Sequence, residues 1–505
     1  MSFDNLLFGL EIAVHPANLL AAFLGVLAGN LVGVLPGIGP IGAAAILFPL
    51  TLTMDPTSGV IMIAGIYFGS QFGGAITAIL LRIPGEASSI AAMADGNAMA
   101  KAGRGGAALG IAILGSFVAG TLAVVGVTLF TPLLTGVALA FRQPELFALT
   151  AGGLLVVSTV VGKGGVRSVL PMLWGALFAS IGQDLLSGSA RFSFGVRELY
   201  DGLGVEAVAI GMFGIAELVL MSAAIQRSTF IKDIRIREMF PNRRELRRAA
   251  PAWGRGGALG FFIGLLPGPS SVLSAFMAYK VERSISRRKD EFGKGAPEGI
   301  AGPEAANNAA ATAGVVPILG LGIPFSATLA FMLAAMTSHG VTPGPLLMSN
   351  NPDIYWGVIA AMYVANIMLV LLNIPLINMW VRILLVPQGL LIPIILVLAT
   401  YGAFVSELSM FALFTVLGFA ALALVMTITG FDLAPFLLGF IVAPMVEMYG
   451  RQALQVGGGD PAYLISGAIA PAIWAVVLCV LVVPPVLRLA TSRRQREEIL
   501  EGADL

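Results

Sequence analysis

Long apolar runs dominate the pattern of this 505-residue chain. Each run of about 20 residues is long enough to cross a bilayer core of about 30 Å as a helix. The uninterrupted runs predict membrane spans at residues 108–130, 145–162, 168–186, 205–226, 354–381, 386–404, 409–428, 431–449 and 462–487. The short alternating segments of a membrane β-barrel are not seen. The pattern therefore predicts an all-α polytopic membrane protein.

Two further apolar stretches are interrupted in the middle by proline and glycine. The first is broken by GVLPG at residues 33–37, and the second, uncharged from 256 to 279, by LPGP at residues 266–269. A break at mid-depth is tolerated only where protein or a water-filled cavity surrounds it. Such segments point to the binding site of a transporter. Both broken crossings bring the expected total to about eleven spans, plus two re-entrant hairpins.

The same breaks recur in the same order in both halves of the chain. GVLPG at 33–37 matches GLLPG at 264–268, an offset of 231 residues. Farther along, Ile83 and Pro84 match Ile323 and Pro324, an offset of 240 residues. The shared order and similar offsets predict an internal repeat.

The distribution of charge predicts how the repeats are oriented. No Lys or Arg precedes Arg82, whereas fifteen of the 29 lie between Arg227 and Lys294. Short loops rich in Lys and Arg stay in the cytoplasm. The flanks of the first Leu-Pro-Gly break are therefore predicted to be external, and those of the second to be cytoplasmic. Opposite orientations predict an inverted repeat, which suits alternating access.

These features divide the chain into four parts. The first transmembrane repeat is predicted at residues 1–226, a basic cytoplasmic or interfacial linker at 227–255, the second repeat at 256–487 and a cytoplasmic C-terminal tail at 488–505. Within the linker, basic and apolar residues alternate over 231–253. This alternation predicts a pair of amphipathic helices at the membrane interface.

Composition narrows the classes of function. The chain is 57% hydrophobic and 11% charged, with a mean hydropathy of +0.91, whereas soluble domains are about a quarter charged. Its single cysteine, Cys479, cannot form an internal disulfide, and two histidines are too few for a multi-histidine metal site. We expect no cofactor and no metal cluster, other than a coupling ion, Na⁺ or H⁺.

The first group of candidate binding residues lies at the Leu-Pro-Gly breaks. The N-terminus of a half-helix carries unpaired N–H groups and roughly half a positive charge, which suit an anion. The opposing C-terminal carbonyls suit Na⁺. A simple packed kink is the alternative, but recurrence in both halves favours a binding site. The candidates are Pro36, Gly37, Gly39, Pro267, Gly268 and Ser270.

The second group surrounds the first Ile-Pro break. Arg82 could pair bidentately with a carboxylate of a substrate. It could equally form an ion pair with Glu86, one helical turn away, and the sequence leaves both alternatives open. A charge at a break inside the membrane is functional by default. The candidates are Ser70, Gln71, Arg82, Pro84 and Gly85.

The third group contains two adjacent asparagines before the second Ile-Pro break. Their amide groups can bind a cation or a carboxylate. Interhelical hydrogen bonding, worth about 0.6–2 kcal/mol per pair, is the alternative. The candidates are Asn307, Asn308, Pro324 and Ser326. Glu217 and Asp432 could relay protons, although such residues more often pair with a neighbour.

Taken together, these segments resemble the large membrane subunit of the tripartite tricarboxylate transporter family. The matching blocks are residues 33–40, 67–86, 94–104 and 303–326, followed by Gly340, Pro343 and Gly344. The resemblance implies a multi-pass transporter of the bacterial inner membrane that imports a carboxylate, coupled to an ion gradient. It implies a small membrane subunit and a periplasmic solute-binding protein as partners, and no nucleic acid. The plan is similar to that of elevator-type transporters.

Two positions depart from the family pattern, which often has Asn where Arg82 stands and Gly where Phe325 stands. A permanent cation and a bulky ring would alter the charge or size preference of a pocket. A tricarboxylate is therefore not implied over a dicarboxylate or a monocarboxylate.

Two other classes of function compete with a transporter. GGGD at residues 457–460 fits the G-x-G-D pattern of intramembrane aspartyl proteases, with Asp201 as a second aspartate. Both lie in polar connections, whereas a catalytic pair belongs within apolar spans. An anion channel is the other class, but no ring of repeated charges is seen and an inverted repeat suits alternating access better.

Overall fold

The computed structural model describes residues 3–35, 39–161, 165–184, 187–223, 234–383 and 386–482. The described chain is mainly helical, with a short antiparallel hairpin of β1 (Gly182–Gln183) and β2 (Ala190–Arg191). The α-helices are α1 (Phe3–Ala13), α2 (Pro16–Val34), α3 (Gly39–Leu52), α4 (Pro56–Leu81), α5 (Ile90–Met99), α6 (Gly105–Ala138), α7 (Gln143–Val161), α8 (Val166–Ala179), α9 (Val205–Ala209), α10 (Ala216–Ala223), α11 (Arg243–Gly264), α12 (Ser270–Ile285), α13 (Pro297–Ala313), α14 (Val315–Leu321), α15 (Ala327–Ser338), α16 (Leu347–Asn350), α17 (Pro352–Asn373), α18 (Ile377–Ile383), α19 (Gln388–Glu407), α20 (Met410–Ile428) and α21 (Leu433–Val456). Turns of π-helix at Ala100–Arg104 and Ile210–Ile215 join α5 to α6 and α9 to α10.

Seven helical stretches among the described residues are long and apolar enough to cross a membrane. They are Pro16–Val34, Pro56–Leu81, Ile90–Ala138, Val205–Ser222, Pro352–Asn373, Met410–Ile428 and Leu433–Val456. Shorter apolar helices include Val166–Ala179 and Ile469–Val482. The prediction of an all-α polytopic membrane protein is confirmed at this level.

Three sequence predictions need correction. The span predicted at 168–186 is too long, because α8 ends at Ala179 and residues 182–183 form β1. The span predicted at 354–381 is interrupted, because α17 ends at Asn373 just before Pro375, which cannot continue the helical hydrogen bonds. The helix pair predicted over 231–253 is also wrong for its described residues. A single 3₁₀ turn at Ile236–Met239 precedes α11, which runs unbroken through residue 255. A change from basic to apolar side chains does not interrupt a helix that Asn242 caps at its start.

Helices α4 and α13 form the core of the fold. Residues 57–79 of α4 and residues 299–313 of α13 are all buried. Neighbouring helices thus shield both helices from lipid on every side. This shielding allows them to carry polar side chains at membrane depth.

Glycines bring α2 into close contact with α4. A Cβ atom on Gly29 would lie 2.2 Å from the backbone oxygen of Ile66. Gly25 and Gly33 lie one turn to either side of Gly29. A Cβ atom on either of them would lie 2.4 Å from a backbone oxygen of α4. Only glycine permits this approach of two helix backbones.

Helix α11 makes the same contact with α13. A Cβ atom on Gly260 would lie 2.2 Å from the backbone oxygen of Ala306, and Gly256 and Gly264 make equivalent approaches of 2.3 and 2.5 Å. The glycines of α11 follow those of α2 by 231 residues, and their partners in α13 follow those in α4 by 240 residues. The two offsets are those that relate the breaks in the sequence.

Helices α11 and α12 form a hairpin with a break at one end and an ion pair near the other. The Arg255 guanidinium donates to both carboxylate oxygens of Glu282, at 2.8 and 2.6 Å. The helices are joined by residues 265–269, the second Leu-Pro-Gly tip. In the first half, α2 and α3 flank the equivalent first tip at residues 35–38, of which 36–38 lie outside the described residues.

Helix α4 ends at the first Ile-Pro loop, which we define as residues 82–89. Arg82 takes the left-handed conformation with φ 59°. The N–H of Ile83 donates to the carbonyl of Thr77 at 3.4 Å, a bond that closes the end of the helix. A non-glycine residue in this conformation is uncommon and strained.

Helix α14 ends in the same way at the second Ile-Pro loop, residues 322–326. Gly322 takes the left-handed conformation with φ 73°. The N–H of Ile323 donates to the carbonyl of Pro317, also at 3.4 Å. Each of these three residues follows its counterpart in the first loop by 240 positions. The two halves thus share helix packing and the geometry of their helix ends.

Candidate functional site

The breaks of each half lie against each other. The N–H of Gly268, at the second tip, donates to the carbonyl of Phe325 in the second Ile-Pro loop at 3.5 Å. In the first half, a Cβ atom on Gly85 would lie 3.1 Å from the carbonyl of Gly33 and 2.4 Å from Gly74. Gly85 and Phe325 are again related by 240 positions. Each half therefore brings its two helix interruptions together.

Glu86, in the first Ile-Pro loop, is held by polar side chains from three directions. Its carboxylate accepts hydrogen bonds from Ser88 and from Asn307 of α13, the latter at 2.9 Å. The side-chain amide of Gln71 in α4 lies 2.7 Å from both carboxylate oxygens and donates when its NH₂ faces them. Asn307 belongs to the second half of the chain, so Glu86 links the two halves.

Tyr67 makes the reciprocal connection. Its hydroxyl in α4 lies beside the side chains of Gln71, Ser271 and Ser326. Ser271 is in α12, and Ser326 is in the second Ile-Pro loop, where its Oγ accepts from the N–H of Leu329 at 3.3 Å. A side chain of the first half thus reaches the break region of the second.

These contacts are related by the internal repeat. Asn307 follows Tyr67 by 240 positions, and Ser326 follows Glu86 by 240 positions. Each core helix therefore sends a polar side chain to the Ile-Pro loop of the opposite half. We define the central polar cluster as Tyr67, Gln71, Glu86, Ser88, Ser271, Glu304, Asn307 and Ser326.

Two buried oxygen atoms of this cluster have no hydrogen-bond partner among the described residues. They are Oε2 of Glu304 and Oδ1 of Asn307, and both side chains are only 2% exposed. The residues are three apart in α13 and share a face of the helix. A buried acceptor without a donor costs about 1–3 kcal/mol. Glu86 lies close enough to Glu304 for the two carboxylates to interact electrostatically.

No basic residue of the described chain forms an ion pair with these two carboxyl groups. Neither Glu86 nor Glu304 has a Lys or Arg within 4.0 Å in the part of the chain that the structure describes. In the same residues, no group of three or more His, Cys, Asp or Glu side chains could hold a metal ion. The oxygen atoms present belong to carboxyl, amide and hydroxyl groups. Such atoms can coordinate a monovalent cation or accept a proton.

Arg82 does not join the cluster in this conformation. Its side chain is exposed on the first Ile-Pro loop, as is that of Pro84. No ion pair between Arg82 and Glu86 forms within the described residues, because Glu86 is turned toward Gln71 and Asn307. The structure therefore places the basic residue and the acidic residue of this loop on different sides.

Ser70 and Asn308 also lie outside the cluster. Ser70 donates to the carbonyl of Tyr67 at 2.9 Å and packs against Gly33. Asn308 points to α6, where it donates to Ser116 at 2.7 Å, and it also donates to the carbonyl of Glu304 at 3.0 Å.

The remaining candidates lie at the tips and loops. Ser270 opens α12 and donates its N–H to the carbonyl of Gly268 at 2.8 Å. Pro267 is half-buried and Pro324 is buried, while Gly39 opens α3 with φ 61°. Pro36 and Gly37 lie outside the described residues.

Sequence reasoning missed several members of the cluster. Tyr67, Ser88, Ser271 and Glu304 were not among the candidates, and Glu86 was considered only as a partner for Arg82. For the two glutamates a signal existed, because carboxylates within apolar segments are functional by default.

A separate cavity of about 790 Å³ lies between α7, α8 and α21. Arg191 and Arg451 line it, and each pairs with both Asp184 and Glu447. Leu333 and Thr337 of α15 also line it. Its lining includes no residue of the central polar cluster.

The cavity comes near the second Ile-Pro loop through α7. Here a Cβ atom on Gly153 would lie 4.0 Å from the ring of Phe325. Of the two aspartates that suggested a protease, Asp201 lines this cavity and Asp460 is exposed and accepts from the N–H of Ala462 at 2.9 Å. Asp432, considered for proton relay, accepts from Ser168 at 3.0 Å.

Residues 19–438 match the model of a family described as the tripartite tricarboxylate transporter TctA family. The chain is 40% identical over 503 residues to an Agrobacterium vitis protein described as an uncharacterized 52.8 kDa protein in the TAR-I ttuC' 3' region, and the match covers 99% of both chains. It is 36% identical over 246 residues to a second A. vitis protein, described as uncharacterized in the TAR-II ttuC' 3' region, covering 48% of this chain and 100% of that one. No solved structure matches the chain.

Proposed function

The chain belongs to the tripartite tricarboxylate transporter TctA family, which is a family of transporters and not of enzymes, and from this we propose a secondary active transporter that imports an organic carboxylate across the bacterial inner membrane. The observation that carries the proposal is the central polar cluster. Both halves of the chain contribute to it, and it lies where their helix breaks meet. Discontinuous helices at a repeat interface are the usual setting of substrate and ion sites in secondary transporters.

The mechanism that we propose is alternating access by an inverted repeat, with an elevator-like movement of the paired hairpins. The matched glycine contacts of α2 with α4 and of α11 with α13 support an internal repeat. The reversed charge of the flanks supports opposite orientations in the membrane. Pro36, Gly37, Pro267 and Gly268 would shape the two tips between which the substrate passes.

The substrate carboxylates would bind at the helix N-termini that face the cluster. Gly39, Ser270 and Ser326 mark the starts of α3, α12 and α15, whose first N–H groups and dipoles favour an anion. Arg82 would neutralise a further carboxylate when its loop turns inward. The half-buried ring of Phe325 would limit the size of the substrate.

A coupling cation, Na⁺ or H⁺, would bind beside the substrate. The two unpartnered oxygens of Glu304 and Asn307 support this position, because one positive charge between them would satisfy both and reduce repulsion from Glu86. Binding of the cation and the carboxylate would favour each other through their opposite charges. This mutual attraction would couple uptake to the ion gradient.

The partners that we propose are a small membrane subunit and a periplasmic solute-binding protein, which the tripartite family implies. The solute-binding protein would deliver the carboxylate to the periplasmic side. The choice among tricarboxylates, dicarboxylates and monocarboxylates then rests on that protein together with Arg82 and Phe325.

The proposed function is tested by uptake into proteoliposomes that contain the reconstituted system. Labelled mono-, di- and tricarboxylates are supplied with the solute-binding protein, under a Na⁺ gradient, a proton gradient or neither. We expect saturable accumulation of one class of carboxylate that requires one of the two gradients. Fluxes that rise linearly with concentration and ignore both gradients would identify a channel instead.

Asn307→Ala and Asn308→Ala compare a residue of the cluster with its neighbour outside the cluster. We expect this change to remove most uptake, since Asn307 contacts Glu86 and faces the cation position. Asn308→Ala should reduce uptake less, because Asn308 binds Ser116 in α6. If the double variant transports as well as the wild type, the assignment of these residues to the site is wrong.

A further inference from the structure

A second cavity, of about 470 Å³, opens between the start of α11 and the end of α12. It lies beyond the Arg255–Glu282 ion pair, at the end of this hairpin opposite the Leu-Pro-Gly tip. We call it the arginine pocket. Its lining residues are Arg243, Arg244, Arg247, Arg248, Ser286, Arg287, Arg288 and Glu298.

The positive charge of the arginine pocket is only partly compensated. Arg248 is fully paired, since it donates to both carboxylate oxygens of Glu298 at 2.7 and 2.6 Å and to Glu291 at 2.7 Å. Other arginines of the pocket have no carboxylate within 4.0 Å in the described chain. They are Arg243, Arg244, Arg247 and Arg287, all of which are exposed. Four free guanidinium groups therefore face one opening.

The hairpin beside the pocket has an exposed apolar face. On α12, large apolar side chains recur every four residues and so share one side of the helix. They are Leu273, Met277, Val281 and Ile285, which are 36–53% exposed. This row leads from the tip directly to Arg288 at the pocket. On α11, exposed Phe262 occupies the tip end, while the arginines occupy the start.

We propose that the arginine pocket binds the phosphate headgroup of an anionic phospholipid, with an acyl chain lying along the exposed apolar face of the α11–α12 hairpin. Guanidinium groups pair bidentately with phosphate oxygens. Basic pockets beside membrane helices on the cytoplasmic side select acidic lipids. A free phosphate would use the arginines alone, whereas a lipid accounts for both the charge and the adjoining apolar row.

Binding of the lipid would hold the open end of the hairpin at the level of the headgroups. The next charged pair toward the tip is Arg255 with Glu282, which is already neutralised by two hydrogen bonds. Beyond the pocket, α12 carries two more exposed basic side chains, Lys280 and Arg283, and from there to the tip the hairpin is uncharged over residues 256–279. This sequence of charge and apolar surface matches the profile of a phospholipid from headgroup to chain.

The proposal is tested by thermal unfolding of the purified full-length protein in detergent, titrated with phosphatidylglycerol or with phosphatidylcholine of the same chains. We expect phosphatidylglycerol to raise the unfolding temperature at concentrations where phosphatidylcholine does not. The variant R243Q/R244Q/R247Q/R287Q should bind phosphatidylglycerol at least about tenfold more weakly. Inorganic phosphate at the same concentration should neither stabilise the protein nor compete.

A matched control removes four other positive charges from the same region, in R235Q/R237Q/K289Q/K294Q. These residues do not line the pocket, and we expect affinity to stay within about twofold of the wild type. Equal losses in both variants would mean general charge attraction and would overturn the site. Competition by inorganic phosphate would mean that the arginine pocket binds a soluble anion and would overturn the lipid proposal.

A measurement on the wild type covers the case in which the pocket variant does not fold. Native mass spectrometry from mixed micelles should show phosphatidylglycerol retained on the protein in preference to phosphatidylcholine. Retention of the two lipids in the proportion supplied would contradict the proposal.

Discussion

The two Ile-Pro loops have the same backbone and different chemistry. Both close their helix with the same hydrogen bond and a left-handed residue. Yet Arg82 corresponds to Gly322, Gly85 to Phe325 and Glu86 to Ser326. One loop carries both a cation and an anion, while the other carries only a ring and a hydroxyl.

The difference shows how a repeated scaffold can form an asymmetric site. The repeat supplies two equivalent helix ends, each facing a polar side chain from the core helix of the opposite half. Substitutions at equivalent positions then place the charged residues of the two loops in the first loop alone. The cluster therefore joins Glu86 of the first loop to amide and hydroxyl groups of the second half and to the carboxylate of Glu304 in α13.

The largest expected effect comes from making the first loop like the second. Glu86→Ser removes the carboxylate that Gln71, Ser88 and Asn307 hold. We expect gradient-driven uptake into proteoliposomes to fall to the level of protein-free vesicles, because the cation position loses one of its two carboxyl groups.

Glu198→Gln provides a matched loss of a carboxylate, since Glu198 is exposed in a 3₁₀ turn far along the chain. Its uptake should equal that of the wild type. If Glu86→Ser retains gradient-driven uptake, the acidic loop is not part of the coupling site.

The next effect tests whether the two halves are packed alike. Gly29→Ala and Gly260→Ala each place a Cβ atom 2.2 Å from a backbone oxygen. We expect each to destabilise the protein by about 3 kcal/mol, through overpacking of α2 on α4 or of α11 on α13. Thermal unfolding in detergent measures both.

Gly254→Ala is the control for these variants, because nothing lies within 4 Å of its added Cβ. It should stabilise α11 by up to about 1 kcal/mol. A large loss for one of the two buried glycines and none for the other would contradict equivalent packing in the two halves.

A smaller effect separates strain from function at the left-handed positions. Gly322→Ala would place a Cβ atom 2.9 Å from the carbonyl of Pro343 and should cost about 2 kcal/mol in thermal unfolding. Arg82→Gly should leave stability equal or raise it by about 1 kcal/mol, since glycine adopts this conformation freely.

Transport kinetics then measure what the Arg82 side chain contributes. If it meets a substrate carboxylate, Arg82→Gly should raise KM about tenfold, equivalent to about 1.4 kcal/mol, with kcat little changed. An unchanged KM for every carboxylate transported would remove Arg82 from the binding site.

The smallest effect concerns the starts of the two core helices. Asp55 caps α4 from within its own half, accepting from the N–H groups of Thr57 and Ser58. Asp95 instead holds the chain just before α13 of the opposite half, accepting from the N–H groups of Gly295 and Ala296 at 2.8 Å each and from the Tyr279 hydroxyl at 3.0 Å.

Asp95→Asn should lower the free energy of unfolding by about 1 kcal/mol. An amide oxygen still accepts these bonds, but the negative charge that stabilises the N-terminal end of the helix dipole is lost. Thermal unfolding measures the loss, and Asp55→Asn is the comparison. A loss of several kcal/mol for Asp95→Asn would mean that the contact between halves depends on this charge.

The sequence predicted the features that local chemistry determines. Apolar run length located the helices, and proline with glycine located the breaks, because both act within a few residues. The correspondence of Pro84 with Pro324 was visible for the same reason. The continuity of α11 was not visible in the sequence, since the change from arginines to apolar residues resembles a helix boundary but leaves the helix intact.

The sequence predicted less well which residues form the central polar cluster. Gln71 and Asn307 were among the candidates, but Glu86 meets Asn307 across 221 positions of sequence. Arg82 was the nearest obvious partner for Glu86, and only the fold shows that the loop turns these side chains apart. Tyr67 likewise lies beside Ser326 of the other half only because the fold brings the two together.

Protection of introduced cysteines by substrate shows whether the two Ile-Pro loops face one transport site. Ala87→Cys and Ser326→Cys, one in each loop, are made in a Cys479→Ser background and labelled with a small thiol reagent. Ala443→Cys, in the wall of the separate cavity, serves as the comparison. We expect a transported carboxylate to protect both loop positions and to leave position 443 reactive. Protection at 443 with no change at either loop would contradict it.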